Sequence, residues 1–191
     1  MATNSVETTW TINTLINTNY LDSLSGTGTW ENPIGGNQYF SDNIIFVATN
    51  DKNNNVYYAN DTNFKLTVSK NDKINWVVNS MNPINNKNLG VVMYGFDKGA
   101  NWTGSLTSPS SESIESVSVN LTNGFMSQSK PTGTFIEAKA SEIAVPHTSV
   151  KIEPVKVTIN YHIMILLLDL SSPSKPSIKK YIKIDPKFII S

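Results

Sequence analysis

Phe64-Lys65-Leu66-Thr67-Val68-Ser69 alternates apolar and polar residues without a break. A period of two places Phe64, Leu66 and Val68 on one face of a strand. Lys70-Asn71-Asp72-Lys73 supplies turn residues, and Ile74-Asn75-Trp76-Val77-Val78 restarts the alternation with β-branched and aromatic side chains. A turn-rich stretch from Asn79 to Asn88 then leads into Leu89-Gly90-Val91-Val92-Met93-Tyr94-Gly95-Phe96. Short runs of this kind, divided by turn signals, predict consecutive strands joined as an antiparallel meander and an all-β chain.

The flanks repeat the pattern. Val6 to Ile12 predicts a first strand with Thr8, Trp10 and Ile12 on one face. Asn43 to Thr49 predicts a short buried strand and Val56 to Ala59 its successor. Between the first two lies a long irregular loop, about 13–42, punctuated by Gly26, Gly28, Pro33, Gly35 and Gly36 and pinned to the body by Leu21, Leu24, Trp30 and Ile34. Downstream, Ile114 to Leu121 reads as a strand. Thr134 to Ala140 reads as another, with a short helix through Ile143 as the competing reading. Lys156 to Leu170 is the strongest element, with Val157, Ile159, Tyr161, Ile163, Ile165 and Leu167 on one face and Leu166 and Leu168 making its far end apolar on both. Ile178 to Ile184 follows, and Asp185-Pro186 turns the chain into a short Phe188-Ile189-Ile190 tail. The expected architecture is a single domain over 1–191, an antiparallel β-sandwich of immunoglobulin-like or jelly-roll-like type.

Composition narrows the function classes. All fifteen basic residues among the 191 are lysine, balanced by fifteen acids to a net charge of zero. Without arginine the chain lacks the planar fork that reads phosphate and guanine edges, and without net positive charge it has no footprint for nucleic acid. The absence of cysteine excludes disulfides and thiolate chemistry. The longest apolar run, Ile163 to Leu168, is far shorter than the ~20 residues of a membrane span. The N-terminal residues lack a basic and then apolar leader pattern, so the expected location is the cytoplasm. Asp51, Asn53 and Asn55 imitate the start of a calcium loop, but Val56 and Thr62 stand where glycine and glutamate are required, which leaves a turn. No metal and no cofactor is expected.

Three segments resemble the AidA/PixA inclusion-body protein family. Lys70-Asn71-Asp72-Lys73-Ile74-Asn75-Trp76 is similar to its "V-G-D-x-I-x-W" strand pair, Val92-Met93-Tyr94-Gly95-Phe96 to its "L-Y-G-F" strand, and Tyr181 to Phe188 to its closing "F-x-W-D-P-x-I". Asn71 stands where the family has glycine, and Ile184 where it has tryptophan. The resemblance implies a small cytoplasmic bacterial β-sandwich, in some members laid down as intracellular crystalline inclusions, with no established catalytic activity.

Catalytic residues are not evident. The two histidines, His147 and His162, have no cysteine to pair with, and the acid pairs Glu112/Glu115 and Glu137/Glu142 lie among serines and lysines as solvated charge. Composition permits, and the family resemblance implies, a non-enzymatic, self-assembling structural or storage protein whose partner is a second copy of itself. The alternative is a carbohydrate-binding module. Asp97-Lys98-Gly99-Ala100-Asn101-Trp102-Thr103-Gly104 gathers the residue types of a sugar site in one loop, with Asp97 and Asn101 to read hydroxyls and Trp102 as platform. The competing role of Trp102 is a lid over the core, and Trp30 is a second platform candidate.

Overall fold

The computed structural model describes residues 7–35, 42–52, 56–59, 64–81, 88–121, 136–151, 157–172 and 174–190. The order is β1 (Thr9–Ile16), α1 (Thr18–Ser23), β2 (Ile34–Gly35), β3 (Ile44–Asn50), β4 (Val56–Ala59), β5 (Lys65–Val68), β6 (Lys73–Ser80) and β7 (Leu89–Lys98), then α2 (Trp102–Ser105), β8 (Ser110–Leu121), β9 (Ile136–Ser149), β10 (Val157–Asp169), β11 (Ser177–Ile184) and β12 (Lys187–Ile190). The chain is all-β in character, and the described strands form two sheets.

The first sheet runs β4-β3-β1-β6-β9-β8. In the second, β10 is central. β7 lies along one edge, while β11 and β12 continue one another along the other edge in a common register, Ile163 opposite Ile184 and Asn160 opposite Lys187. Pro186, which has no N–H to give, interrupts that edge between them. β2 and β5 flank β11 and β12 respectively.

Both sheets are mixed, which corrects the expected antiparallel pairing: β1–β6, β2–β11 and β5–β12 are parallel. The expected meander is corrected as well. β5, β6 and β7 form where the alternation put them, but none pairs with another; β5 and β7 belong to the second sheet and β6 to the first. Alternation places a side chain on a face and carries no information about which strand lies alongside. The loop expected over about 13–42 is shorter, because Asn13 to Ile16 continue β1, and α1 and β2 fall within the stretch. Val6 of the expected first strand, the tip of the calcium-like turn and Thr134 lie outside the described residues. From Ile136 onward the strand reading holds and the helix reading does not. The Phe188 to Ile190 tail is a strand.

The core lies between the sheets. Ile12, Ile16, Ile44, Phe46, Ile74 and Trp76 come from the first; Leu66, Ile159, Tyr161, Ile163, Ile165, Leu167, Ile182 and Ile184 come from the second. α1 closes one side. Asn17 accepts from the Tyr20 N–H to start the helix, and Leu21 is buried. At its end the buried Lys180 ammonium donates to the carbonyls of Asp22 (2.8 Å) and Leu24, while Lys179 pairs with the Asp22 carboxylate at 2.7 Å. Cations are stabilised there by the unpaired carbonyls of the last turn.

Candidate functional site

The segments that carried the family resemblance serve packing. Asp72 is 6% exposed, and its carboxylate accepts from the backbone N–H groups of Ser69 (2.9 Å) and Thr8 (3.2 Å) and from the Trp10 indole (3.2 Å). It thereby ties the turn before β6 to the start of β1. Asn71 has φ +69°, in the left-handed region that glycine enters freely and asparagine tolerates, so the family's glycine and this asparagine meet one backbone requirement. Trp76 faces the core, with its indole N–H on the Tyr161 hydroxyl at 3.2 Å and its ring centroid 4.7 Å from that of Phe96. Tyr94 is the extra residue of a bulge in β7: Met93 lies opposite Ile165 and Gly95 opposite Met164. The bulge lets Met93 and Phe96 pack toward the core while Tyr94 meets Tyr181 and Trp30 on another face.

The residues proposed for sugar binding separate. Trp102 is 1% exposed; its ring packs among Trp76, Phe96 and Tyr161, and its N–H is spent on the Thr107 carbonyl at 3.1 Å. It is the core lid, with no ring face left for a ligand. Asp97 and Asn101 are exposed, but Asp97 pairs with His162 Nδ1 at 3.1 Å, and the Asn101 amide reaches the Thr158 carbonyl at 3.4 Å. Gly99 is required by close approach, since a Cβ there would run into the Asn160 carbonyl. Trp30, 56% exposed, lies 4.4 Å from Tyr94 between ring centroids and 6.5 Å from Tyr181. Burial, then the neighbouring Tyr181 and Glu31, push the Tyr94 phenol above its ordinary pKa. The loop that carries Trp30 is pinned as expected through Leu21, Leu24 and Ile34.

The feature that composition and alternation did not reveal is the way β8 and β9 leave the body. β9 pairs with β6 only through His147, Thr148 and Ser149, opposite Asn75, Ile74 and Lys73. From Pro146 back to Ile136 it pairs with β8 alone among the described residues, so the two strands form a ribbon that departs from the sheet. A cavity of about 630 Å³ opens at its root. Trp76, Val77 and Val78 of β6, Val91 to Phe96 of β7 and Ile143 to Pro146 of β9 line it, so it is chiefly apolar.

At its rim Ser110 Oγ and His147 Nε2 are 3.0 Å apart, the spacing of a nucleophile and its base. Among the described residues no third member completes such a constellation, since His147 Nδ1 is buried with no hydrogen-bond partner among them. Glu112 is held by Lys73 at 2.6 Å, and that hydrogen bond lowers its pKa. Among the described residues no group orients the imidazole, and the pair reads as a cross-strand hydrogen bond. His162 lies between Asp97 and Asp185, the latter 3.9 Å from Nε2. With the carboxylates on opposite ring nitrogens, the three cannot converge on one ion. Among the described residues no group of three or more histidines, aspartates or glutamates is placed to hold a metal.

The described strands form two mixed sheets, and this fold is similar to that of an inclusion body protein of the PixA type. The inclusion body protein PixA from Burkholderia cenocepacia J2315 matches over 100% of both chains, with a TM-score of 0.66 and 13% sequence identity. At that identity the likeness is one of fold, and it agrees with the resemblance of the three sequence segments. No protein-family model and no curated protein matches the sequence. Among the described residues no helix is long and apolar enough to cross a membrane.

Proposed function

We propose that this protein is a PixA-like inclusion body protein: a non-enzymatic, cytoplasmic structural or storage protein whose partner is a second copy of itself. The observation that carries the reading is the match of fold to an inclusion body protein along the full length of both chains. Physical chemistry supports it. Zero net charge removes long-range repulsion between copies, and a surface rich in Asn, Ser and Thr offers many short hydrogen-bonded contacts. The segments most like the family build the pinned turn at Asp72, the buried Trp76 and the bulge at Tyr94, so what they transmit is a fold. The carbohydrate-binding alternative is not carried forward, because its platform residue, Trp102, is inside the core.

The test is thin-section electron microscopy of cells expressing the untagged chain, with immunogold labelling. Gold confined to particles with a periodic interior supports the reading. Gold dispersed through the cytoplasm overturns it.

A further inference from the structure

We propose that the β8–β9 ribbon is an assembly arm, and that its occupant is the same arm of a second copy, joined edge to edge through β9 about a two-fold axis at Ala138. The proposal rests on the self-assembly reading for its role, while its geometry stands on the structure alone. Three observations point to it.

Among the described residues the ribbon lacks cover. Its described side chains beyond the root are exposed or half-buried, including Val117 at 54%, Val119 at 61%, Ile114 at 41% and Ile143 at 37%. An isolated two-stranded ribbon is marginal in water and gains independent stability from further strands. Val117 lies opposite Ala140 and Val119 opposite Ala138, so one face of the outer half is apolar and built of small side chains.

The β9 edge is open. Between Ile136 and Pro146 it has no strand beside it among the described residues except β8, which occupies its other edge. Unpaired N–H and C=O groups in a row are a template for another strand.

The charges choose the partner and the register. In an antiparallel pair centred on Ala138, Glu137 of each copy lies opposite Lys139 of the other, so both opposite-charge pairs form at once. Shifting the centre to Ala140 places Glu137 opposite Ile143 and Ala138 opposite Glu142, and loses both. The outer edge of β8 offers carboxylates alone, Glu112 and Glu115, and no lysine, so a two-fold there gains no such pair. Pairing through β9 yields a four-stranded sheet, β8-β9-β9-β8, on which the Val119 and Ala138 rows of the two copies join into one apolar strip. The join is isologous and closed, leaving the lattice contacts of an inclusion to other surfaces.

The experiment combines charge reversal with cross-linking on the full chain. Sedimentation of the wild type should show a dimer. Glu137→Lys and Lys139→Glu should each weaken dimerisation about tenfold, by setting like charges opposite each other. An equimolar mixture of the two variants should restore it, and so should the double exchange E137K/K139E, since both recreate the opposite-charge pairs. Circular dichroism of each variant checks that the fold is kept.

Because the chain has no cysteine, Ala138→Cys gives an unambiguous second readout. Facing Cα atoms in an antiparallel pair lie about 4.5–5.5 Å apart, within disulfide range. Ala138→Cys should therefore cross-link to a dimer under mild oxidation faster than Val117→Cys does. A wild type that stays monomeric, a mixture that fails to rescue, or faster cross-linking through Val117 would overturn the proposal. Monomers that still build periodic particles in cells would overturn the arm pairing and leave the inclusion reading intact; a dimer that stays dispersed would do the reverse.

Discussion

At the scale of single residues, the family-like positions are explained by what they hold together. Asp72 satisfies two backbone N–H groups and one indole in a nearly closed site, so Asp72→Ala leaves three donors without their acceptor. The expected loss is about 3 kcal/mol, read from urea denaturation at neutral pH. A loss below about 0.5 kcal/mol, the level of an ordinary surface substitution, would contradict that role. Tyr161 gives a pH signature. Its hydroxyl is fully buried, and burial pushes its pKa well above the usual tyrosine value, with the Trp76 hydrogen bond acting the other way. The folded pKa is raised, so this contribution is complete below the unfolded pKa of about 10 and is lost as pH rises beyond it, by about 1.4 kcal/mol per pH unit. Tyr161→Phe should flatten the fall in urea midpoint between pH 10 and 11 to the shallower slope left by groups such as Tyr94. An unchanged slope would show that the hydroxyl is not sequestered. Which tryptophan is buried was not legible in the chain. Trp102 and Trp30 both sit in glycine-bearing loops, and only the closure of α2 under Trp76, Phe96 and Tyr161 distinguishes them.

At the scale of elements, β10 carries the second sheet and β4 trims the rim of the first, and their sensitivities should differ accordingly. Ile165 is fully buried, so Ile165→Ala is expected to cost about 2–5 kcal/mol. Val56 in β4 is 63% exposed, and Val56→Ala should shift stability by less than about 0.5 kcal/mol. Comparable values from chemical denaturation would refute the layering. The position and facing of β10 were readable because six apolar residues recur at a strict period of two. Its neighbours were not, since the pairings with β7, β11 and β12 are contacts between segments remote in sequence or joined by a break. The parallel β1–β6 pair is the sharper case: Ile12 and Trp76 lie opposite each other across 64 residues, and nothing local to either strand marks the other as partner. β11 shows the limit of apolar phasing. Ile178, Ile182 and Ile184 share a phase, but Ile178 is 48% exposed, and the buried position between is Lys180, whose ammonium ends on helix carbonyls. That ending depends on α1, which lay inside the stretch expected to be irregular.

At the scale of the whole molecule, the proposed function rests on the outer surface, and its test lies in how copies of the chain pack. Among the described residues the Ser110–His147 contact has no group to orient its base, and the apolar cavity at the ribbon root borders strand edges that no described strand covers, a geometry suited to strand addition. Zero net charge and a ribbon whose described side chains beyond the root are exposed or half-buried are the features on which the proposed self-assembly rests. Ordered packing of folded molecules must be separated from precipitation of unfolded ones, because expression alone can produce the latter. X-ray powder diffraction from pelleted cells that express the chain makes that separation directly. A lattice of native molecules predicts sharp low-angle rings that vanish when the particles dissolve into folded, β-rich protein. Diffuse rings near 4.7 Å and 10 Å without low-angle order, the mark of cross-β aggregate, would contradict self-assembly as the protein's function.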